Sequence, residues 1–225
     1  MLHFEDGVPD QGSLNGGRAD RLSDRAYKRL RDGLITLEFE PMEPLNERAL
    51  SQRMNVGLAP IREALRRLEQ ERLVTIYPRR GIFAAEIVIT DQQSIKEVRF
   101  ELEGLAAALA AVRGTKEEAE ALMLIAEELV LETESPAKIN GDAKFRRHIY
   151  AMARNSFLQP VLEMHHNLAM RLWYFCRRQK SRTDIGPIDY RPIAKAIADG
   201  DAEKSRFLLS KVVADHSELL RNMLV

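Results

Sequence analysis

The sequence predicts a mainly α chain of two domains. Residues 21–88 are expected to form three helices closed by a short strand pair, and residues 89–225 a bundle of six antiparallel helices. Residues 1–20 read as a flexible arm. Between Leu45 and Ala85, two short helical patterns precede two short apolar runs that flank a Pro-Arg-Arg-Gly turn. From Thr90 onward the apolar residues recur at helical spacing, and no alternating strand pattern appears. Gly114, Pro136, Asn155-Ser156, a loop over residues 183–187 and Asp199-Gly200-Asp201 divide that half into six helix-length pieces.

Taken in order, the arm is rich in Gly, Asp and Ser and lacks periodicity. Leu22, Ala26, Leu30, Leu34 and Leu37 then mark one face of a first helix, which Pro41 and Pro44 separate from the second. Asn46 suits the N-cap of that second helix, with Leu45 before it placed to staple onto Leu50. Ala49, Leu50 and Met54 form its apolar face. Asn55-Val56-Gly57 ends it, either Asn55 or Gly57 being able to take positive φ. The third helix buries Ile61, Ala64, Leu65 and Leu68 and turns Arg62 and Arg66 onto a neighbouring face. Val74 to Tyr77 and Ile82 to Ala84 make the strand pair, with Arg79, Arg80 and Gly81 in the turn. A short helix pair and then a basic hairpin is the outline of a winged helix-turn-helix. In that arrangement one helix enters the major groove and presents its first turn to base edges.

In the second half, Thr90 is a candidate N-cap for a long helix to about Val112, carrying Ile95, Val98, Leu102, Leu105 and Leu109. Helices are expected over 116–133, 137–153, 157–179, 190–198 and 202–223. Helices of this length with short connections form an antiparallel bundle, in which sites are built from side chains on facing helices.

The first half resembles the DNA-binding domain of the GntR family of bacterial transcription regulators. The resemblance rests on Leu45, Glu47-Arg48, Leu50, Val56, Pro60-Ile61-Arg62-Glu63-Ala64-Leu65, Leu68, Glu69, Leu73 and Arg80-Gly81. It implies base contacts from Arg48, Arg62 and Arg66, and backbone contacts from Arg53, Arg79, Arg80 and the Gly81 tip. The chain departs from the family pattern at Gly57-Leu58-Ala59, where a Ser-Arg-Thr-like run is usual. It also lacks the glycines usual near Leu37 and Met42. The second half resembles the FadR-type C-terminal ligand-binding domain called FCD. That likeness is carried by Val98-Arg99, Leu102-Glu103-Gly104, Asp142, Phe145, Ile149, Ala153, Asn155, Phe157-Leu158, Ile193, Ala196-Ile197 and Asp201-Ala202-Glu203. The two resemblances imply a ligand-responsive regulator, expected to act as a homodimeric repressor on a palindromic operator in double-stranded DNA.

Many FCD domains hold a divalent metal with an Asp, a His four residues on and two further His from the last two helices. In this chain those positions are Asp142, Arg146, Tyr190 and Val212. One carboxylate does not hold a transition metal alone, so no metal cofactor is expected. A site rearranged around Asp142, His216 and His165 or His166 is the minor alternative. Arg146 has two readings: an i, i+4 ion pair with Asp142, or a guanidinium that replaces the metal and grips an anionic effector. Arg99 and Glu103 are likewise either an intrahelical pair or effector contacts. Tyr190 either donates to the ligand or fills the bundle.

Composition bounds these readings. With 45% hydrophobic and 30% charged residues, the chain has the make-up of a soluble globular protein. No apolar run approaches the roughly 18 residues of a membrane span. The single cysteine, Cys176, excludes a disulfide framework and fits a reducing cytoplasm, and the N-terminus lacks a signal-peptide pattern. Net charge is zero, and residues 21–80 hold 13 Lys/Arg against 9 Asp/Glu, so DNA affinity is expected to lean on dimerisation. An enzyme is disfavoured, because no glycine-rich phosphate loop, H-E-x-x-H or G-x-S-x-G is present. A protein-interaction adaptor that keeps the winged fold without binding DNA is the runner-up, supported by the apolar Leu58-Ala59.

Overall fold

The computed structural model describes the backbone of residues 12–131, 136–179 and 188–224, and the side chains of 22–130, 141–178 and 188–223. Residues 1–11 of the expected arm and the expected loop over 183–187 lie outside the described residues. The chain divides into two compact units, Met1–Glu86 and Ile87–Val225.

The first unit opens with α1, Gly12–Ile35. This corrects the expected arm, since residues 12–20 are helical. Once a helix is nucleated, each added residue costs little, so a weakly patterned stretch can extend a strong one. Ala26, Leu30 and Leu34 are buried on the expected face. Leu37 is buried as well, but beyond the helix end and at φ +61°. Gly33 is required where the chain turns back, because a Cβ there would lie 2.8 Å from the Phe39 ring.

Next come α2, Glu47–Met54, and α3, Leu58–Gln70. Asn46 caps α2 by accepting from the backbone N–H groups of Arg48 and Ala49, both at 3.0 Å. Asn55 closes it in the left-handed region at φ +50°, whereas Gly57 is extended. Of the expected α2 face, Leu50 is buried, Ala49 is exposed and Met54 is intermediate. A helix of two turns has room for one anchor against α3. The α3 stripe is Ile61, Ala64, Leu65 and Leu68, as expected.

Strands β1, Val74–Tyr77, and β2, Gly81–Ala84, pair antiparallel from Val74↔Ala84 to Tyr77↔Gly81. Residues 42–45 add a short third edge to β2. Pro44 bridges Phe83, and the N–H groups of Met42 and Leu45 donate to Ala84 and Ile82. Pro41 and Pro44 mask this edge in the sequence.

In the second unit six helices come in order: α4 Asp91–Arg113, α5 Lys116–Leu131, α6 Pro136–Met152, α7 Leu158–Gln179, α8 Arg191–Ala198 and α9 Ala202–Leu224. Thr90 does not cap α4, its side chain making no capping bond. The core brings together Ala106 and Ala110 of α4, Leu122 of α5, Phe145 and Ile149 of α6, Leu162 of α7, Ile193 of α8 and Leu209 of α9. Helices α4 and α9 run antiparallel in close contact. Gln92 donates to the Ser217 carbonyl at 2.8 Å, and Ser210 Oγ donates to the Phe100 carbonyl at 2.8 Å. Gly104 permits this approach, since a Cβ there would collide with Ser210.

Candidate functional site

In the winged unit, Arg62 sits in the first turn of α3 with 57% of its side chain exposed, and its Nε donates to Glu47 at 3.1 Å. That bond ties the head of α3 to the head of α2, where Arg48 is exposed. Arg66 is exposed one turn further along α3. The basic tip is a four-residue turn closed by the Arg80 N–H donating to the Tyr77 carbonyl at 3.1 Å. Pro78 takes its second position and Arg79 the third, at φ +62°, with Gly81 beyond at φ +108°. A positive φ at that third position favours Gly or Asn, so an arginine there is held at a conformational cost. Arg79 and Arg80 are exposed, and Arg80 lies over the Tyr77 ring at 5.9 Å.

Arg53 is placed differently from the others. It pairs with Glu38, lies 5.7 Å from the Phe39 ring centre and lines a cleft of about 350 Å³ with Arg25 and Arg29. Sequence reasoning misses these two α1 arginines; their i, i+4 spacing is the available signal. Arg67 is structural, stacking on Tyr27 at 4.1 Å and pairing with Asp24. The head of α3 has no side-chain cap at Gly57, and Leu58 stands partly exposed in the first turn.

In the helical unit, five side chains from three helices close a buried ring. On α4, Arg99 Nε donates to Glu103 Oε1 at 2.7 Å. Arg146 on α6 reaches the other oxygen of Glu103 through Nη1, and its Nε donates to both oxygens of Asp142 at 3.0 and 3.2 Å. His166 on α7 completes the circuit. Its Nδ1 lies 3.5 Å from Arg99 Nη2, and its Nε2 lies 4.0 Å from Asp142 Oδ2. Tyr190, just ahead of α8, donates its hydroxyl to Asp142 Oδ1, with its ring 4.8 Å from that of Phe145. Two i, i+4 pairs, Arg99/Glu103 and Asp142/Arg146, therefore face each other, and Tyr150 comes one further turn after Arg146.

Burial and charge act against each other here. Burial works to raise the pKa of Asp142, but Arg146, His166 and His216 overcome it and hold the carboxyl well below the usual range. Burial opposes the charge of Arg146 too, while Asp142 and Glu103 keep the guanidinium protonated. His166 is pushed well down by burial and by Arg99, so its ring is neutral. His216 on α9 is pushed down to about 4 by burial and by Arg146. Tyr150 and Tyr190 are raised well above their usual value, by burial first and then by Glu103 and Asp142 respectively.

The structure thus brings Arg99, Glu103, Asp142, Arg146 and Tyr190 together. It also corrects the expectation that Arg146 grips an anion as a free fork. The side chain is 0% exposed, and Nε and Nη1 are already committed to carboxylates. The residues do not fit a metal: Arg146 and Tyr190 occupy the Asp142 oxygens, and Val212 has no donor atom. Among the described residues no group of three or more His, Cys, Asp or Glu has metal-holding geometry. The histidines separate by face. His166 turns into the ring, whereas the Nδ1–H of His165 donates back to the Val161 carbonyl at 2.7 Å. His148 points to α5, its Nε2 lying 2.9 Å from the Glu118 carbonyl.

Residues 22–84 match the family described as bacterial regulatory proteins, gntR family, and residues 94–215, more than half the chain, match the FCD domain. The chain belongs to the GntR family, in its FCD branch. Similar curated proteins include the uncharacterized HTH-type transcriptional regulator YdhC of Bacillus subtilis, 30% identical over 67% of this chain and 67% of that protein. The HTH-type transcriptional repressor GlaR of Escherichia coli is 34% identical over 40% of this chain and 41% of its own length. Among solved structures, E. coli McbR/YncC shares the fold with a TM-score of 0.76 at 21% identity, covering 91% of this chain and 99% of that one. A GntR regulator from Rhodococcus sp. RHA1 has a TM-score of 0.65 at 20% identity, covering 89% and 97%. The protein is accordingly a GntR-type transcriptional regulator with an FCD effector-binding domain, and neither matched family is one of enzymes. No described helix is long and apolar enough to cross a membrane.

Proposed function

We propose that this GntR regulator is a cytoplasmic homodimeric repressor that reads a palindromic operator and releases it when its helical unit takes up a small metabolite. The reading is carried by Arg62, exposed in the first turn of α3 and braced by Glu47 against the head of α2. A side chain at the head of a groove-bound helix meets base edges, and bracing lowers the entropy lost on docking. Arg48 and Arg66 complete the base-reading set, while Arg53, Arg79 and Arg80 meet phosphates beside the Gly81 tip. With net charge zero, one winged unit binds weakly, and two held by symmetry supply the affinity. The effector acts through its differential affinity for the DNA-competent and DNA-incompetent states. An anionic effector held by a free Arg146 is no part of this reading, because both nearby carboxylates already neutralise that guanidinium.

Fluorescence anisotropy on DNA upstream of the protein's own gene tests this. Arg62→Ala is expected to cost about 1–3 kcal/mol and to relax sequence preference; unchanged binding would sink the contact assignment. The uncapped head of α3, with Leu58 partly exposed, favours a second reading as an adaptor without DNA affinity. Affinity that falls steeply with salt excludes it.

A further inference from the structure

Resting on the reading that the helical unit binds an effector, we propose that the Arg99–Glu103–Arg146–Asp142–His166 ring binds an uncharged small molecule carrying at least two acceptor oxygens. A sugar, a polyol or a hydroxy-amide has this chemistry. Three buried polar atoms around the ring have no hydrogen-bond partner among the described residues: Arg146 Nη2, Tyr150 Oη and His166 Nε2. All three present a proton. Arg146 Nη2 is a guanidinium nitrogen and only donates. Arg99 also only donates, so His166 Nδ1, 3.5 Å away, accepts, and the proton of the neutral imidazole sits on Nε2. The Tyr150 hydroxyl is held in its protonated form. Leaving a buried donor unmet costs roughly 1–3 kcal/mol each, and native proteins leave few such atoms unmet. The ring is therefore short of acceptors, and one oxygen accepts two of the three bonds at most.

Charge decides which acceptor fits. Arg99 and Arg146 supply two positive charges, and Glu103 and Asp142 supply two negative ones. His166 and His216 are neutral, and Tyr150 and Tyr190 keep their protons. Arg147 on α6 and Lys96 on α4, both partly exposed, lie further out. A carboxylate arriving here would be a third anion, competing with Asp142 and Glu103 for guanidiniums those residues already hold. Hydroxyl or carbonyl oxygens accept from the same three donors and add no charge to a buried, balanced cluster. A pocket of about 20 Å³ between α4, α7 and α9 touches the ring at Arg99 and has His216 in its wall. It has room for little more than a water, so a metabolite parts these helices as it enters. That separation is the difference in state through which the ligand acts.

The test uses the full chain with matched probes of one carbon skeleton: glucose and gluconate, galactose and galactonate, glycerol and glycerate, lactamide and lactate. Thermal shift is read first, then calorimetric titration on wild type and Tyr150→Phe. Because the Tyr150 hydroxyl is unpaired, Tyr150→Phe is expected to keep the ligand-free melting temperature. An uncharged probe stabilises wild type, its acid does not, and Tyr150→Phe binds it about tenfold more weakly. Stabilisation by the acids alone, lost in Tyr150→Phe, overturns the uncharged class but leaves the effector reading standing. Uncharged binding that ignores Tyr150→Phe moves the site away from the ring and overturns the proposal. If no probe of either kind binds, the ring is a structural lock, and the effector reading of this unit falls with the proposal.

Discussion

Replacing Arg146 by Met tests the ring most directly. The substitution keeps a long, flexible apolar chain in a fully buried position but removes the counter-charge of both Asp142 and Glu103. Breaking a buried ion pair by removing one partner costs about 3–5 kcal/mol, because the remaining charge stays out of water. Proton uptake by the abandoned carboxylates offsets part of this, so about 3 kcal/mol is expected at neutral pH. With a urea m-value of about 2 kcal/mol/M, the unfolding midpoint falls by about 1.5 M. Trp173, the single tryptophan, lies on α7 beside the Leu172–Cys176–Leu220–Met223 cluster, so its fluorescence reports on the helical unit. The pH dependence has a defined sign. In wild type the folded Asp142 carboxyl lies below its ordinary value. Its contribution is therefore present above the unfolded-state pKa of about 3.9 and is lost as pH falls through the folded value. In Arg146→Met burial acts without the guanidinium, the folded carboxyls bind protons more readily than the unfolded chain, and acid stabilises the variant. The gap between the two proteins must narrow from neutral pH towards about pH 4. A midpoint shift under about 0.5 M, or a gap constant across that range, would refute the ring as a charge-balanced unit.

Two further outcomes concern the winged unit. Met42→Gly relieves a positive φ of 66° at a position 46% exposed and is expected to raise stability by about 1 kcal/mol in calorimetry. Leu37→Gly relieves a similar φ but removes a buried side chain, so it is expected to lose about 2 kcal/mol; equal effects would contradict the burial argument. Arg79→Gly should stabilise the turn yet weaken DNA binding, lowering the salt slope of log K by about one; an unchanged slope would remove Arg79 from the phosphate contacts.

Much of the architecture is legible in the chain itself. The six helices of the second unit begin and end within a few residues of their expected bounds, because Gly114, Pro136, Asn155 and Gly200 act on the backbone where they stand. Asn46 caps α2 for the same local reason. The third edge strand at 42–45 is hidden, since prolines on either side argue against pairing unless a partner strand already offers the right groups. The start of α1 escapes notice because composition reports whether a segment nucleates a helix, not whether one next to it will extend. For the site, the i, i+4 pairs Arg99/Glu103 and Asp142/Arg146 stand out, but the roles of Tyr150 and His166 do not. Nothing in the adjacent pair His165-His166 says which ring turns inward.

The sequence by itself determined the elements and the family, because caps, breaks and apolar spacing act within one or two helical turns. It also carried the basic residues to the heads of α2 and α3 and to the tip of the strand pair. Only tertiary structure decided that Arg146 is an internal counter-ion and not an exposed grip. Its partner Glu103 lies 43 residues away, and the Arg99–His166 link spans 67. Desolvation and Coulomb attraction depend on what other helices bring within a few ångströms, and no local pattern encodes that.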